Sequence, residues 1–287
     1  MAKTLSIVQT PLPDSHEDDL IALFEKSCII QKTPPNTTNT TNTAPTSKEC
    51  VEPSPQEKAM QQSIPNEIRA KLSSSFEKCV LGYHYINDDP IKETPWEDIN
   101  AQILTNAGCT VDSKSNGSHK PGSDLSCSLG NFSNKSTQYE NNKSSFKLSS
   151  YRLTTVCSDK KPGNIESIIA EINKRKDFNY YSIIVREDSD TTIKYDWYLI
   201  PSDFPVMNPN SYTWKEKKGK LKKNEGVVTG WETNKLNGSS MSITFSMSSQ
   251  LWLDIHITDE MKKFIVSSVT LTKGRKTNYI QLYTMLS

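Results

Sequence analysis

Apolar positions recur every three or four residues in three stretches of the chain and alternate with polar ones in most others. In IPNEIRAKLSSSFEKCVLGYHY, Ile68, Leu72, Phe76 and Val80 stand four apart. That is one stripe of an amphipathic helix, and Pro65 fits its first turn. ETPWEDINAQILTNAGC predicts a second helix, with Trp96, Ile99, Ile103 and Leu104 as its buried side. Thr94 suits the N-cap, Pro95 the first helical position and Gly108 the stop, while Glu97 falls three residues after the cap as in a capping box. A third helix is predicted over IESIIAEINKRKD, capped by Asn164, with Ile165, Ile168, Ile169 and Ile172 as its apolar stripe. Glu166 and Glu171 lie elsewhere on that helix.

The alternating stretches predict strands. Leu125, Cys127 and Leu129 alternate with Ser126 and Ser128, the pattern of a half-buried strand. Gly130-Asn131 then signals a hairpin, with a return strand carrying Phe132, Ser133, Asn134 and Lys135. Thr137 to Ser144 reads as a polar loop, and Phe146 to Thr155 as a strand or strand-to-helix entry. YYSIIVRE (180–187) and IKYDWYLIP (193–201) are strands, the first suited to a sheet centre. SMSITFSMSSQLWLDIHI supplies one strand or two. MKKFIVSSVTL and NYIQLYTML add edge strands or a short helix.

Composition divides the chain. Residues 1–62 form an N-terminal tail with a possible short helix in His16 to Cys28. From Thr33 to Pro55 the tail is polar, proline-rich and without periodicity, the signature of a disordered linker. Residues 63–287 remain for a folded domain. The hydrophobic content of 34% is low, and the tail accounts for part of that. The net charge of +1 neither demands nor excludes nucleic acid; only a local patch would. One such patch is residues 212–235, with seven lysines, three glutamates and interleaved Tyr212, Trp214 and Trp231. Lys215, Lys217, Lys218 and Lys220 could release counterions from DNA, and aromatics can stack on bases or pack under a loop. No run approaches the ~18 apolar residues of a membrane span, and the N-terminus lacks a secretory signal's apolar core. The six cysteines have no CxxC pair or zinc-type spacing. The expectation is a cytoplasmic protein with reduced thiols and no membrane partner.

The candidate chemistry lies in GSHKPGSDLSCSLGNFSNK (117–135). Pro121-Gly122 is a turn signal just before Asp124. The hairpin returns Ser133 and Lys135, two apart and therefore on one face, alongside Asp124. A carboxylate can hold Mg²⁺, which prefers oxygen ligands and keeps several waters. A neighbouring lysine can orient the attacking water or stabilise a charged transition state. Ser145-Phe146-Lys147 is a second Ser-x-Lys. Ser133/Lys135 is preferred because a two-residue turn ties it directly to Asp124. Arg152 suits bidentate phosphate contact or a salt bridge to the helix that follows. His119 sits in the Gly/Pro turn and is read as a backbone-contacting turn residue.

Asp124 followed by Ser133-Asn134-Lys135, in the context of GSHKPGSDL, SNKS and LSSYRLT, resembles a variant PD-(D/E)xK motif. The likeness is to type II restriction endonucleases, over about residues 85 to 260. The resemblance implies an α/β fold with a central mixed β-sheet flanked by helices, in the order helix, hairpin, strand, helix, strand. It implies Mg²⁺-dependent, sequence-specific cleavage of double-stranded DNA, with Asp124 on the metal and Lys135 on the reacting water or phosphate. A homodimer would match a palindromic target, and a cognate DNA methyltransferase is expected in the same genome. Ser133 departs from the family, which places Asp or Glu there. Another acid must then fill the place. Glu97, Glu140 and Glu166 are the candidates, and Glu97 is favoured as catalytic and metal-binding because similar nucleases often carry a Glu on the helix before the hairpin. Two other readings stay open: a DNA-binding protein of this fold without catalysis, and an unrelated α/β interaction module on a tether.

Overall fold

A computed structural model describes residues 64–114, 123–219 and 225–273. The N-terminal tail, His119, Pro121-Gly122, Lys220 and the NYIQLYTML segment lie outside the described residues. Helix α1 (Asn66–Ile86) and helix α2 (Glu93–Asn106) come first. Strands β1 (Val111–Lys114), β2 (Leu125–Cys127), β3 (Gly130–Glu140) and β4 (Ser145–Arg152) follow. Helix α3 (Ile165–Arg175) leads to β5 (Tyr180–Asp188) and β6 (Thr192–Pro201). After two short 3-10 turns come β7 (Trp214–Lys218), β8 (Val228–Thr233), β9 (Ser240–Thr244) and β10 (Gln250–His256). The short helix α4 (Asp259–Lys262) precedes β11 (Ile265–Thr272).

The strands form one large mixed sheet in the order β11-β6-β5-β3-β4-β10-β9-β8-β7, with β2 also on β3 and β1 on β2. β3 and β5 run parallel, Phe132 opposite Tyr180 through Gln138 opposite Arg186. A parallel neighbour needs a crossover, and β4 and α3 provide it. The other named strand pairs are antiparallel. The chain is thus α/β with a mixed sheet and a few helices. No helix among the described residues is long and apolar enough to cross a membrane.

Two cores hold the sheet. In the first, α1 and α2 cover one face, and Leu72, Phe76 and Val80 are buried as the periodicity predicts, with Ile68 partly buried. Phe76 stacks on Trp197 with ring centroids 5.6 Å apart and meets Trp96 edge-on at 6.1 Å. Trp96 Nε1 donates to the Ser182 carbonyl at 3.0 Å, and Trp197 Nε1 to the Ser182 hydroxyl at 2.9 Å. The first bond ties α2 to β5, and the second ties β6 to the same serine. The second core gathers Phe146 and Leu148 of β4, Ile168 and Ile172 of α3, and Leu251, Leu253 and Ile255 of β10. Asn164 caps α3 as expected, accepting from the Ser167 N–H at 2.8 Å.

Three local expectations are corrected. The hairpin turns at Ser128-Leu129, not at Gly130-Asn131: Cys127 pairs with Gly130 and Leu125 with Phe132. Gly130 has φ +124° and opens the return strand, so its freedom of backbone served the strand entry rather than the turn. Thr137 to Glu140 is strand, not loop, because pairing to β5 and β4 outweighs its polarity. Helix α2 begins at Glu93 with Lys92 in the cap position and no side-chain cap bond, so Thr94 is not the cap. Glu97 is thereby released from capping.

Phe76→Ala should destabilise the fold by about 3–5 kcal/mol, as for large buried aromatic truncations. Chemical denaturation measures it, and a loss under about 1 kcal/mol would mean that the aromatic cluster does not carry the helix–sheet contact.

Candidate active site

Strand β3 changes partners along one edge. It pairs with β2 as far as Phe132 and with β4 only at Tyr139 and Glu140. β4 pairs with β10 along its other edge from Ser145 to Arg152, and its ladder to β3 ends at Phe146. Between these contacts β3 forks from its neighbours, and side chains complete what the ladder leaves open. The Asp124 N–H still donates to the Phe132 carbonyl at 2.8 Å, which sets Asp124 opposite Ser133. Its Oδ2 accepts from the Asn134 backbone N–H at 2.6 Å and from the Ser133 hydroxyl at 3.3 Å. Lys135 Nζ donates back to the Asn134 carbonyl at 2.7 Å.

The ammonium of Lys135 lies 3.8 Å from Asp124 Oδ2 and 2.7 Å from Glu93 Oε1, with 15% of its side chain exposed. Burial works to lower its pKa, and the Asp124 and Glu93 carboxylates more than compensate, so it is held above the ordinary lysine value. Glu97, one turn on from Glu93, is partly buried. Burial pushes its carboxyl above the usual range, and the negative charges of Asp124 and Glu93 push the same way, with Lys135 opposing. Three acids therefore surround one base.

Below them Asn100 and Asn134 are both fully buried. Asn100 Nδ2 donates to Asn134 Oδ1 at 2.6 Å, tying α2 to β3 directly under the site. The Tyr151 hydroxyl is buried beside that of Tyr181. Burial, nearby Tyr181 and the Asp124 charge all raise its pKa.

The fork thus brings together Asp124, Ser133, Lys135 and Glu97. It adds Glu93, which the sequence reading missed. The available signal was two acids four apart at the start of a helix, which share a face. The other candidate acids lie elsewhere. Glu140 is exposed at the end of β3, about 16 Å along the strand from Lys135 at ~3.3 Å per residue. Glu166 is exposed in the first turn of α3. Lys147 stacks over Trp252, 5.4 Å from the ring centroid, and has no described contact with Asp124.

The expected DNA contacts are scattered. Arg152 is exposed at the end of β4, beside Tyr151. Arg175 donates to the Arg152 carbonyl, while its own partner is Glu171 at 2.6 Å. Lys215 pairs with Glu232 at 3.2 Å, Lys217 donates to the Thr244 hydroxyl at 3.0 Å, and Lys218 is exposed. The interleaved aromatics pack inward. The polar atoms of Tyr212, Trp214 and Trp231 donate to the carbonyls of Val206, Pro209 and Gly163, with Tyr212 buried and the two tryptophans partly buried. Among the described residues, no three Asp, Glu, His or Cys side chains converge to hold a metal ion. Comparison of the chain with protein-family models, curated proteins and solved structures found no match.

The Glu97 shift has a readable consequence. With its folded pKa raised, the native state binds the proton more tightly than the unfolded chain, so stability falls as pH rises through and above the ordinary Glu value near ~4.3. Glu97→Gln should melt higher than wild type at pH 7, with the gain vanishing at about pH 4 and below. Melting curves across this range test it, and an equal or lower midpoint at pH 7 would contradict the described environment.

Proposed function

We propose that the chain is a Mg²⁺-dependent, sequence-specific endonuclease for double-stranded DNA, resembling type II restriction enzymes. The observation that carries this reading is the Asp124–Lys135 pair, 3.8 Å apart at a strand fork and flanked by Glu97. The element order supports it: helix α2, hairpin β2–β3, strand β4, helix α3 and strand β5 follow in the order that the resemblance implies.

The donor set suits a hard cation held loosely. Mg²⁺ is commonly bound by one or two carboxylates, with water and substrate phosphate filling the other positions, so a three-residue cage is not required. Asp124 Oδ1 takes no hydrogen bond from a described residue, since the bonds to Asp124 fall on Oδ2. Burial, and after it the charges of Asp124 and Glu93, raises the Glu97 pKa, and a bound cation would favour its carboxylate. Asp124 and Glu97 would hold the ion, which when bound neutralises phosphoryl charge and acidifies a water. The Asn134 N–H and the Ser133 hydroxyl keep Asp124 fixed. Lys135, protonated and anchored to the Asn134 carbonyl, donates to the phosphate oxygen where charge develops. Ser133 keeps the strand neutral where the resembling family has an acid. Arg152, Lys215, Lys217 and Lys218 would contribute phosphate contact, and a second copy of the chain would serve the opposite strand of a palindrome.

Purified protein incubated with unmethylated plasmid and phage DNA should give discrete fragments with Mg²⁺ and none without it. Asp124→Ala and Lys135→Ala should abolish cleavage while sparing binding in a gel shift. Wild-type cleavage by either variant would refute the assignment. Metal-independent retention of intact DNA would favour a catalytically silent binder, and no retention the interaction module.

A further inference from the structure

Lys135 has a closer partner than Asp124. Its nitrogen is 2.7 Å from Glu93 Oε1 and 3.8 Å from Asp124 Oδ2. Glu93 is the first residue of α2, and the helix is anchored beneath the site by the Asn100–Asn134 and Trp96–Ser182 bonds. The Glu93 side chain is half exposed at 52%, against 15% for Lys135, so the carboxylate meets the ammonium from the solvent side. Ser133, on the same strand face as Lys135, is uncharged and directs its hydroxyl to Asp124. No acid on the strand itself is thus in place to steer the lysine. The long lysine side chain has many rotamers, and holding one of them costs conformational entropy. The Asn134 carbonyl and the Glu93 carboxylate together supply two fixed acceptors.

From this geometry we infer that Glu93, carried by α2, is the positioning residue for Lys135. This rests on the endonuclease reading and assigns Glu93 a role separate from that of Glu97, which serves the cation. Glu93 touches neither substrate nor cation in this scheme. It keeps the ammonium beside Asp124 until a phosphate oxygen takes up its remaining donor. A helix is a better support for such a group than a loop, because its side-chain directions are set by packing.

The test compares wild type, Glu93→Gln, Glu93→Asp and Lys135→Met. Glu67→Gln, which breaks an exposed ion pair on α1, is the control for loss of a surface acid. Single-turnover cleavage of plasmid DNA in saturating Mg²⁺ should fall about 10- to 100-fold in Glu93→Gln, the scale of a misplaced catalytic group. DNA affinity should stay within about twofold, so the loss appears in the rate and not in binding. Glu93→Asp should recover part of the rate. Independently of activity, trace acetylation with acetic anhydride, read by peptide mass spectrometry, should modify Lys135 slowly in wild type and several times faster in Glu93→Gln. Glu67→Gln should leave both readouts unchanged. Undiminished cleavage by Glu93→Gln, or an unchanged Lys135 labelling rate, overturns the inference. If wild type leaves DNA intact, the endonuclease reading falls by itself, and the labelling rate alone decides whether Glu93 positions Lys135.

Discussion

Asn134 is the residue on which the site depends. It sits on β3 where the strand has left β2 and has not yet met β4. A buried strand edge with no neighbour would strand its N–H and carbonyl, at a cost of about 1–3 kcal/mol for each unsatisfied group. Here the Asp124 carboxylate takes the N–H, the Lys135 ammonium reaches back to the carbonyl, and the side-chain amide meets Asn100 on α2. One buried residue therefore ties together the carboxylate, the lysine and the helix that carries Glu93 and Glu97. The same bonds that satisfy the strand hold the chemistry in place.

The charges follow from that arrangement. Glu93, Glu97 and Asp124 face one ammonium, and burial together with the neighbouring negative charges raises the Glu97 pKa. Like charges crowded in a partly desolvated place favour protonation or a bound cation. With Ser133 neutral, the acids come from two places, Asp124 from the residue just before β2 and the glutamates from α2. The distance between them is thus set by helix-on-sheet packing and not by the spacing of a linear motif. Trp96 and Trp197, both hydrogen-bonded to the buried Ser182, are accordingly part of what aligns the site.

Much of this was legible in the residues and some was not. The helices over Asn66–Ile86 and Ile165–Arg175 were readable because their apolar stripes are what the cores bury. The strands at 180–188 and 192–201 announced themselves as apolar runs. The turn was misplaced because Gly130 reads as a turn glycine wherever pairing is unknown. Pairing set the register, and with it the contact between Asp124 and Ser133. Thr137 to Glu140 looked like loop because a strand joined to neighbours on both edges can remain polar, as the Tyr139–Asp196 bond of 2.6 Å illustrates. Glu93 was invisible as a partner for Lys135 because 42 residues separate them in sequence, and only the docking of α2 brings them together.

The lysine strand β7 lies far across the sheet from Asp124 and Lys135. Between β3 and β7 the sheet passes through β4, β10, β9 and β8, five steps of about 4.8 Å, or roughly 24 Å before twist is counted. On the endonuclease reading that is about seven base pairs of duplex at ~3.4 Å each. Lysines at that remove cannot help bond breaking. They can raise residence on DNA of any sequence, with the salt dependence that phosphate contacts bring. Of the two readings their interleaving offered, Tyr212, Trp214 and Trp231 show packing beneath the surface. Turned inward, they fasten the β7–β8 hairpin to the second core, so that the charges at the sheet edge stand on a fixed support.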